Sequence, residues 1–479
     1  MGNIRYICLS DTHLGEEDSL LTNVTGPDKV DLKSPSPVMI HLEKCLRHLI
    51  SQTNDEGKKP TLVLNGDILE LALCTTEKSA MVFERFIELT MPAGGELFEK
   101  IIYMPGNHDH HFWETAREVQ YADYIASNSK PGDDLEAPWH TTSMFVEDNP
   151  QPVVEYFLTK LVQRYPNLKA SNFFIPIVYP NFGVLGGNER EKCVVFHHGH
   201  FIESMYQLMS KLKTIIFPDS TMPELTWDIE AENFAWIDFF WSTLGRSGEV
   251  GADVELVYEK LQHPKQREKF VSDLSKSLAD RYNIPNVPAW LEDDAFKFIL
   301  ESVLNRAFGE RSQTEEPLTP ESESGLWAYM AGPLKKQILI ELGDHMPSDV
   351  TLIFGHTHKP FQEDMAFHGY QQEVNVYNTG GWIVESVKAE PLRGGAAALV
   401  DENLDATSLR LYNEADDRKE YRVRVEEAGF SNVSNPFHQQ ISGLVDPDAE
   451  PWKSFSTTVA DEVHIRERNL RARINKKTH

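Results

Sequence analysis

Ile4-Arg5-Tyr6-Ile7-Cys8-Leu9-Ser10-Asp11-Thr12-His13 is a short apolar run that stops abruptly on metal-ligand side chains. A run of that length bounded by polar residues reads as a buried strand. The pattern then recurs along the chain. A strand at 61–65 ends in Gly66-Asp67, and one at 100–104 ends in Gly106-Asn107-His108-Asp109. A strand at 192–197 runs into His198-Gly199-His200, and one at 350–354 into Gly355-His356-Thr357-His358. Helical patterns separate the early strands, at 38–51 (Met39, Leu42, Leu46, Leu49) and 77–90, and more follow at 112–128 and 152–165. A further strand is expected at 373–377, then a closing hairpin of 396–400 and 408–412. This βαβ rhythm argues an α/β domain with buried sheets. In such sheets, sites assemble at the carboxyl ends of strands, so parallel pairing would bring the five tips to one edge.

The chemistry of the tips is coherent. Carboxylates and imidazoles together suit Mn, Fe, Zn or Co better than Ca or Mg. Residues at i and i+2 of an extended segment point the same way. Asp11 and His13 have that spacing, as do His356 and His358. The adjoining glycines (Gly66, Gly106, Gly199, Gly355) allow sharp turns and close backbone approach. Taken singly, each block has an ordinary structural explanation; five in succession, each at a strand end, do not. The fourth block crowds His197, His198 and His200 together; with His198 as the ligand, His197 would point into the sheet and His200 could face a substrate. Asn378-Thr379-Gly380-Gly381 reads as a turn beneath the site. Glu70 is open between support of a ligand and an exposed helix-start glutamate.

These blocks resemble the calcineurin-like metallophosphoesterase superfamily, whose signature is D-x-H, G-D, G-N-H-D, H and G-H-x-H in that order. The resemblance covers about residues 1–200 and 350–415. It implies an α/β fold of the αββα type, a β-sandwich flanked by helices, here with a helical insertion. It also implies two transition-metal ions (Mn, Fe or Zn) and attack on a phosphate mono- or diester by a metal-bridging hydroxide. Asp11, His13, Asp67 and His358 resemble the first metal's ligands. Asp67, Asn107, His198 and His356 resemble the second's, with Asp67 bridging. His108 resembles the residue that contacts phosphate and protonates the leaving oxygen, and Asp109 would orient it. Within the family, the early blocks are similar to both the UDP-diacylglucosamine pyrophosphatase branch and the nuclease branch. A helical insertion favours the first, and the absence of long coiled-coil heptads argues against the second. A non-catalytic scaffold on the same fold is the alternative class, but such a protein should lack a ligand, and none is missing.

Composition bounds the rest. The 479 residues suggest two or three domains, or one with a large insertion. A formal net charge of −28 argues against nucleic acid gripped over a broad surface, since phosphate backbones need a basic footprint. A small phosphorylated substrate is compatible, because two cations would reset the local potential. No signal peptide or transmembrane run is read, and the four cysteines (Cys8, Cys45, Cys74, Cys193) show no C-x-x-C pairing, so a cytoplasmic protein is expected. The division expected is a catalytic domain at 1–200 and 350–415, a helical insertion or cap at 201–349, and a charged C-terminal extension at 416–479. The insertion includes an acidic, Ser/Thr/Pro-rich stretch at 309–325 that reads as a loop. It also holds aromatic residues Trp227, Phe234, Trp236, Phe239, Phe240 and Trp241, read as a subdomain core in preference to a substrate grip. The basic end, 466–479, is read as a terminus without a partner in preference to an anion-binding segment.

Overall fold

The structure, a computed structural model, describes residues 2–477 except 28, 129, 147–151, 218, 244–270, 273–274, 277–296, 298–315 and 430–434. The chain is mixed α/β. Strands form at Ile4–Leu9 (β1), Val24–Gly26 (β2), Lys29–Val30 (β3), Thr61–Asn65 (β4), Lys100–Met104 (β5), Asn181–Gly186 (β6) and Lys192–His197 (β7). They resume at Asp349–Phe354 (β8), Phe361–Met365 (β9), Val374–Asn378 (β10), Gly394–Asp401 (β11), Ala406–Asn413 (β12) and Arg424–Glu426 (β13). One sheet has six strands in the order β13-β12-β11-β1-β4-β5; a second has five, in the order β6-β7-β8-β10-β9.

This corrects the expectation of one edge. β1, β4 and β5 are mutually parallel neighbours in the first sheet. β7, β8 and β10 are parallel neighbours in the second. The five tips are therefore split between two sheets. Apolar runs specify burial, but they do not state which strands pair.

Alternation shows how the sheets are used. Tyr6 and Cys8 of β1 join Val63, Ile102, Phe182, Phe196, Ile353 and Tyr377 in one buried cluster that draws on both sheets. The Tyr6 ring lies 6.2 Å from that of Phe182 and 6.0 Å from that of Phe196. The intervening residues Ile7, Leu9, Leu62 and Leu64 belong to the main cluster with Met39, Leu42, Leu46 and Leu49 of the helix Pro37–Thr53. Both faces of the parallel strands are thus buried, which is why their sequences are apolar throughout.

Elsewhere, three helices differ from expectation. The pattern at 152–165 is helical only over Tyr156–Val162, begun by Glu155, whose carboxylate accepts the Phe157 and Leu158 amides. The loop expected at 309–325 is described only from 316, and Pro320–Tyr329 within it is a helix. Thr319 caps it by accepting the Ser322 amide at 3.1 Å, and Pro320 opens it, so the polar composition was a helix start. The basic end is the helix Trp452–Lys477, not a terminus without contacts. Trp452, Phe455, Val459 and Val463 recur at helical spacing, are buried, and pack in the main cluster. Among the described residues no helix is long and apolar enough to cross a membrane.

The residues at 201–348 connect β7 and β8, which are neighbours. Their helix Thr226–Ile237 is tied to the helix His111–Asn128 by buried ions. His110 Nε2 meets Glu230 Oε1 at 2.8 Å, and the Tyr179 hydroxyl donates to Glu230 Oε2 at 2.9 Å. His111 Nδ1 meets Asp238 Oδ1 at 2.9 Å. Trp241 is buried in the main cluster while Phe239 is exposed, so the aromatic group divides between core and surface. Burial alone would lower the His110 pKa, but Glu230 and Asp238 outweigh it and raise it to about 10. Stabilisation by this pair is therefore complete below the ordinary value of 6.5 and lost as pH climbs towards about 10. Glu230→Gln should lower unfolding free energy by about 3 kcal/mol at acid-to-neutral pH, because it strands a buried imidazolium. Urea unfolding at pH 6 and again near pH 10 checks this, and the gap between variant and parent should shrink at the higher pH.

Candidate metal centre

The two sets of tips are joined by hydrogen bonds between the sheets. Asn65 at the end of β4 donates through Nδ2 to the His197 carbonyl at 3.1 Å. The His356 amide at the tip of β8 donates to the Asp11 carboxylate at the tip of β1 at 3.0 Å, and within the second sheet the Gly355 amide donates to the His198 carbonyl at 2.8 Å. Gly106 could not carry a side chain, because a Cβ there would collide with both Asp67 and His198. Gly66 takes φ +84°, which glycine adopts without strain, and a Cβ there would collide with the His198 ring.

The ligand candidates come together in two buried groups. Asp11, His13 and His358 offer ligand atoms all within 4.8 Å of one another, and so do Asp67, His198 and His356. In the first group His13 Nε2 lies 3.3 Å from His358 Nε2, and His358 Nε2 lies 3.4 Å from Asp11 Oδ1. In the second, His198 Nε2 lies 3.3 Å from Asp67 Oδ2 and 3.2 Å from Asn107 Oδ1. Asp67 Oδ2 is also 3.9 Å from His13 Nε2, so this carboxylate stands between the groups. The segments are not extended, contrary to the i, i+2 argument. Asp11 (φ 49°), His13 (φ 42°), Asp67 (φ 51°), His356 (φ 73°) and His358 (φ 57°) all occupy the left-handed region. Their side chains converge because the backbone is coiled there, at about 1–3 kcal/mol of strain per residue.

Two of the candidate imidazoles have the second nitrogen hydrogen-bonded, and the other two face a carboxylate at ion-pair distance without hydrogen-bond geometry. His13 Nδ1 meets Glu70 Oε2 at 2.8 Å, and His198 Nδ1 donates to the Asn65 carbonyl at 3.0 Å. His356 Nε2 faces Glu203 Oε1 at 3.0 Å, and His358 Nδ1 faces Glu385 Oε1 at 3.4 Å. Such partners fix the tautomer and the ring orientation of metal-binding histidines. Glu203 and Glu385 were not legible in the sequence, since both lie in loops outside any motif. Glu70 was legible as a candidate, three residues after Asp67, and is wholly buried.

The structure corrects the role expected of Asp109. Its carboxylate accepts the amides of Gly106 (2.6 Å), Asp67 (3.2 Å) and Ile68 (2.8 Å), and the Tyr103 hydroxyl also donates to it. Its oxygens are thus committed to backbone at the tips of β4 and β5. Glu70 instead holds His108, with Nδ1 3.0 Å from Oε1 and 2.9 Å from Oε2. The other histidines fall outside the two groups. His197 donates to the Pro180 carbonyl at 3.1 Å within the core, and His200 Nε2 meets the Tyr179 hydroxyl at 3.1 Å under the insertion. Thr379 is a brace beneath the tips: its Oγ1 is 2.5 Å from Ser10 Oγ and donates to the Phe354 carbonyl.

Electrostatics bears on whether the residues suit cations. Burial pushes the Asp67 carboxyl up, but His198 and His108 beside it hold it well below the ordinary range. Burial likewise opposes ionisation of Glu70, and His108 and His13 overcome it, bringing its pKa to about 2. Burial lowers the His198 pKa, yet Asp67 and Asp11 raise it to about 9. Ionised carboxylates out of water need compensating positive charge, and the donor set of imidazole, carboxylate and one amide oxygen suits a transition metal.

No protein-family model matches the chain, and no curated protein matches it. Among solved structures, a dimetal phosphatase from Danio rerio aligns over 87% of this chain and 97% of its own, at 10% identity and a TM-score of 0.30. A phosphopantetheinyl hydrolase from Mycobacterium tuberculosis aligns over 80% of this chain and 91% of its own, at 13% identity and a TM-score of 0.22. Likeness of that degree does not define a shared fold.

Removing Asp109 separates its role from that of Glu70. Asp109→Ala leaves several buried amides without an acceptor and should cost about 2–3 kcal/mol in denaturant unfolding. Its effect should appear first as lost stability, and a variant as stable as the parent would contradict the brace.

Proposed function

We propose that the protein is a dinuclear-metal phosphoesterase, with its two sheets and flanking helices forming the αββα sandwich of the metallophosphoesterase type. The observation that carries the reading is Asp67, whose carboxylate stands between two buried ligand groups drawn from the tips of two different sheets. The first cation would be held by Asp11, His13, Asp67 and His358, and the second by Asp67, Asn107, His198 and His356. Bound there, the pair would act as Lewis acids towards the phosphoryl oxygens and lower the pKa of water near neutrality.

The chain's own residues account for the remaining work. His108 would give its proton to the departing oxygen. With Nδ1 engaged by Glu70, the proton to be moved sits on Nε2. The Glu70 carboxylate beside Nδ1 would fix the direction of that imidazole. Glu70, Asn65, Glu203 and Glu385 orient the four ligand imidazoles. Asp109 keeps the tips of β4 and β5 in register.

For the substrate we infer a phosphate ester of modest size, in accord with the acidic chain. Its other portion would meet the start of the 201–349 insertion. There the Tyr206 ring stands 5.2 Å from His356, and the Trp241 ring 5.4 Å from Tyr206. The working division remains a catalytic domain at 1–200 and 350–415, a cap at 201–349 and an extension from 416.

The reading is tested by metal analysis together with hydrolysis of p-nitrophenyl phosphate and bis(p-nitrophenyl) phosphate in Mn²⁺. Two metal equivalents per chain and turnover of one or both esters are expected; neither metal nor turnover would end the proposal. Asp67→Ala should abolish turnover and lower metal content. His108→Ala should reduce kcat about 10²–10⁴-fold with metal retained. Glu70→Gln should reduce kcat about 10–100-fold, as expected on loss of an orienting carboxylate.

A further inference from the structure

Arg466 lies on the C-terminal helix Trp452–Lys477, outside the residues that carry the motifs, and its side chain is wholly buried. A buried guanidinium is costly compared with an apolar side chain of similar size, so packing alone does not explain it. Its contacts point towards the first ligand group. Nη2 donates to the carbonyls of Ser19 at 3.1 Å and Thr22 at 2.6 Å, and Nη1 pairs with Glu462 on the same helix. Ser19 passes the restraint on: its hydroxyl donates to the Thr12 carbonyl at 2.7 Å. Thr12 is the residue between Asp11 and His13. Thr22 restrains the other end of the segment, its Oγ1 accepting the Gly15 amide at 3.0 Å.

The same helix holds the neighbouring loop. Arg471 donates to the Val387 carbonyl at 2.9 Å, and Arg473 pairs with Glu17 and Asp18. The two loops are laced together, with the Leu20 amide donating to Trp382 at 2.8 Å and the Val384 amide to Asp18 at 3.1 Å. The Trp382 amide in turn donates to the Asp11 carbonyl at 3.0 Å. Each loop also brings a carboxylate to a ligand of the first group: Glu16 lies 4.0 Å from His13 Nδ1, and Glu385 lies 3.4 Å from His358 Nδ1.

Asp11 and His13 are both non-glycine residues in left-handed backbone. Such conformations persist only where the surroundings over-determine them. We propose that Arg466 is a positioning residue for the first metal group: by holding Ser19 and Thr22 it keeps Asp11 and His13 in that backbone. The C-terminal helix is then a working part of the metal centre. The inference rests on the dinuclear reading above and deepens it, because it predicts that the two metal positions depend unequally on this helix. The ligands peculiar to the second group, Asn107, His198 and His356, lie at the β5, β7 and β8 tips, and none of the hydrogen bonds from the C-terminal helix ends on them.

The test uses the full chain reconstituted with Mn²⁺. Metal affinity is read by chelator competition, and the spin-coupled pair by electron paramagnetic resonance. Arg466→Met should weaken one of the two metals at least about 10-fold, retain the other, and replace the coupled signal with that of isolated Mn²⁺. The same signature should appear in His358→Ala, which removes a first-group ligand directly. Ser19→Ala leaves Arg466 in place and cuts the hydroxyl's bonds to the Thr12 carbonyl and the Leu21 amide, so it serves where Arg466→Met does not fold; it should show the same selective loss to a smaller degree. Parent-like retention of both metals in the folded variants would overturn the inference alone, as would equal weakening of both. A parent chain that binds no metal pair would overturn the dinuclear reading and this inference with it.

Discussion

Left-handed backbone at the strand tips is the constraint around which the molecule is organised. Asp11, His13, Asp67, His356 and His358 all carry positive φ, where a Cβ crowds the neighbouring carbonyl. At about 1–3 kcal/mol each, this strain is comparable with the net stability of an ordinary domain. It must be offset by bonds that have no other evident purpose. Those bonds are present: Asp11 and His13 donate their amides to Gly66 and Asp67, and Asp109 collects the amides around Asp67. Strain that clusters on metal-ligand residue types and is so heavily braced belongs to a site.

Convergence from two sheets follows from the same constraint. Each sheet supplies three parallel strands, and the bonds from Asn65 to the His197 carbonyl and from the His356 amide to the Asp11 carboxylate tie their tips together. The apolar cluster between the sheets keeps that junction rigid. A site assembled this way is positioned by strands and not by mobile loops, and its carboxylates are held where water cannot compete for them.

The parts outside the motifs have a place in the same scheme. The 201–348 connection begins with Glu203 against His356 and is anchored by the His110–Glu230 and His111–Asp238 pairs. The C-terminal helix reaches the loops behind β1 through Arg466. Among the described residues, the first addition places Glu203 beside His356 and the second holds the loop that follows His13.

What the sequence determined was the five strands that carry the tips and the residue types at their ends, while β6, β9 and β13 went unread. Apolar runs such as 61–65 and 192–197 are strands with those bounds, because complete burial on both faces leaves a continuous signal. The order Asp11, His13, Asp67, Asn107, His198, His356, His358 was likewise legible, since ligand chemistry is a property of residue type. The apolar spacing of Trp452, Phe455, Val459 and Val463 was present too, but a strongly polar background masked it. Tertiary structure alone decided which strands pair, that the tips belong to two sheets, and that the ligand segments coil and do not extend. It also decided that Glu70 serves His108 while Asp109 serves backbone amides, although Asp109 adjoins His108 in sequence and Glu70 is 38 residues away. The reason is physical: a carboxylate's role depends on which donors lie within about 3 Å of it, and those donors come from distant parts of the chain. Glu203, Glu385 and Arg466 act on the site only through such contacts, so no spacing along the chain could have announced them.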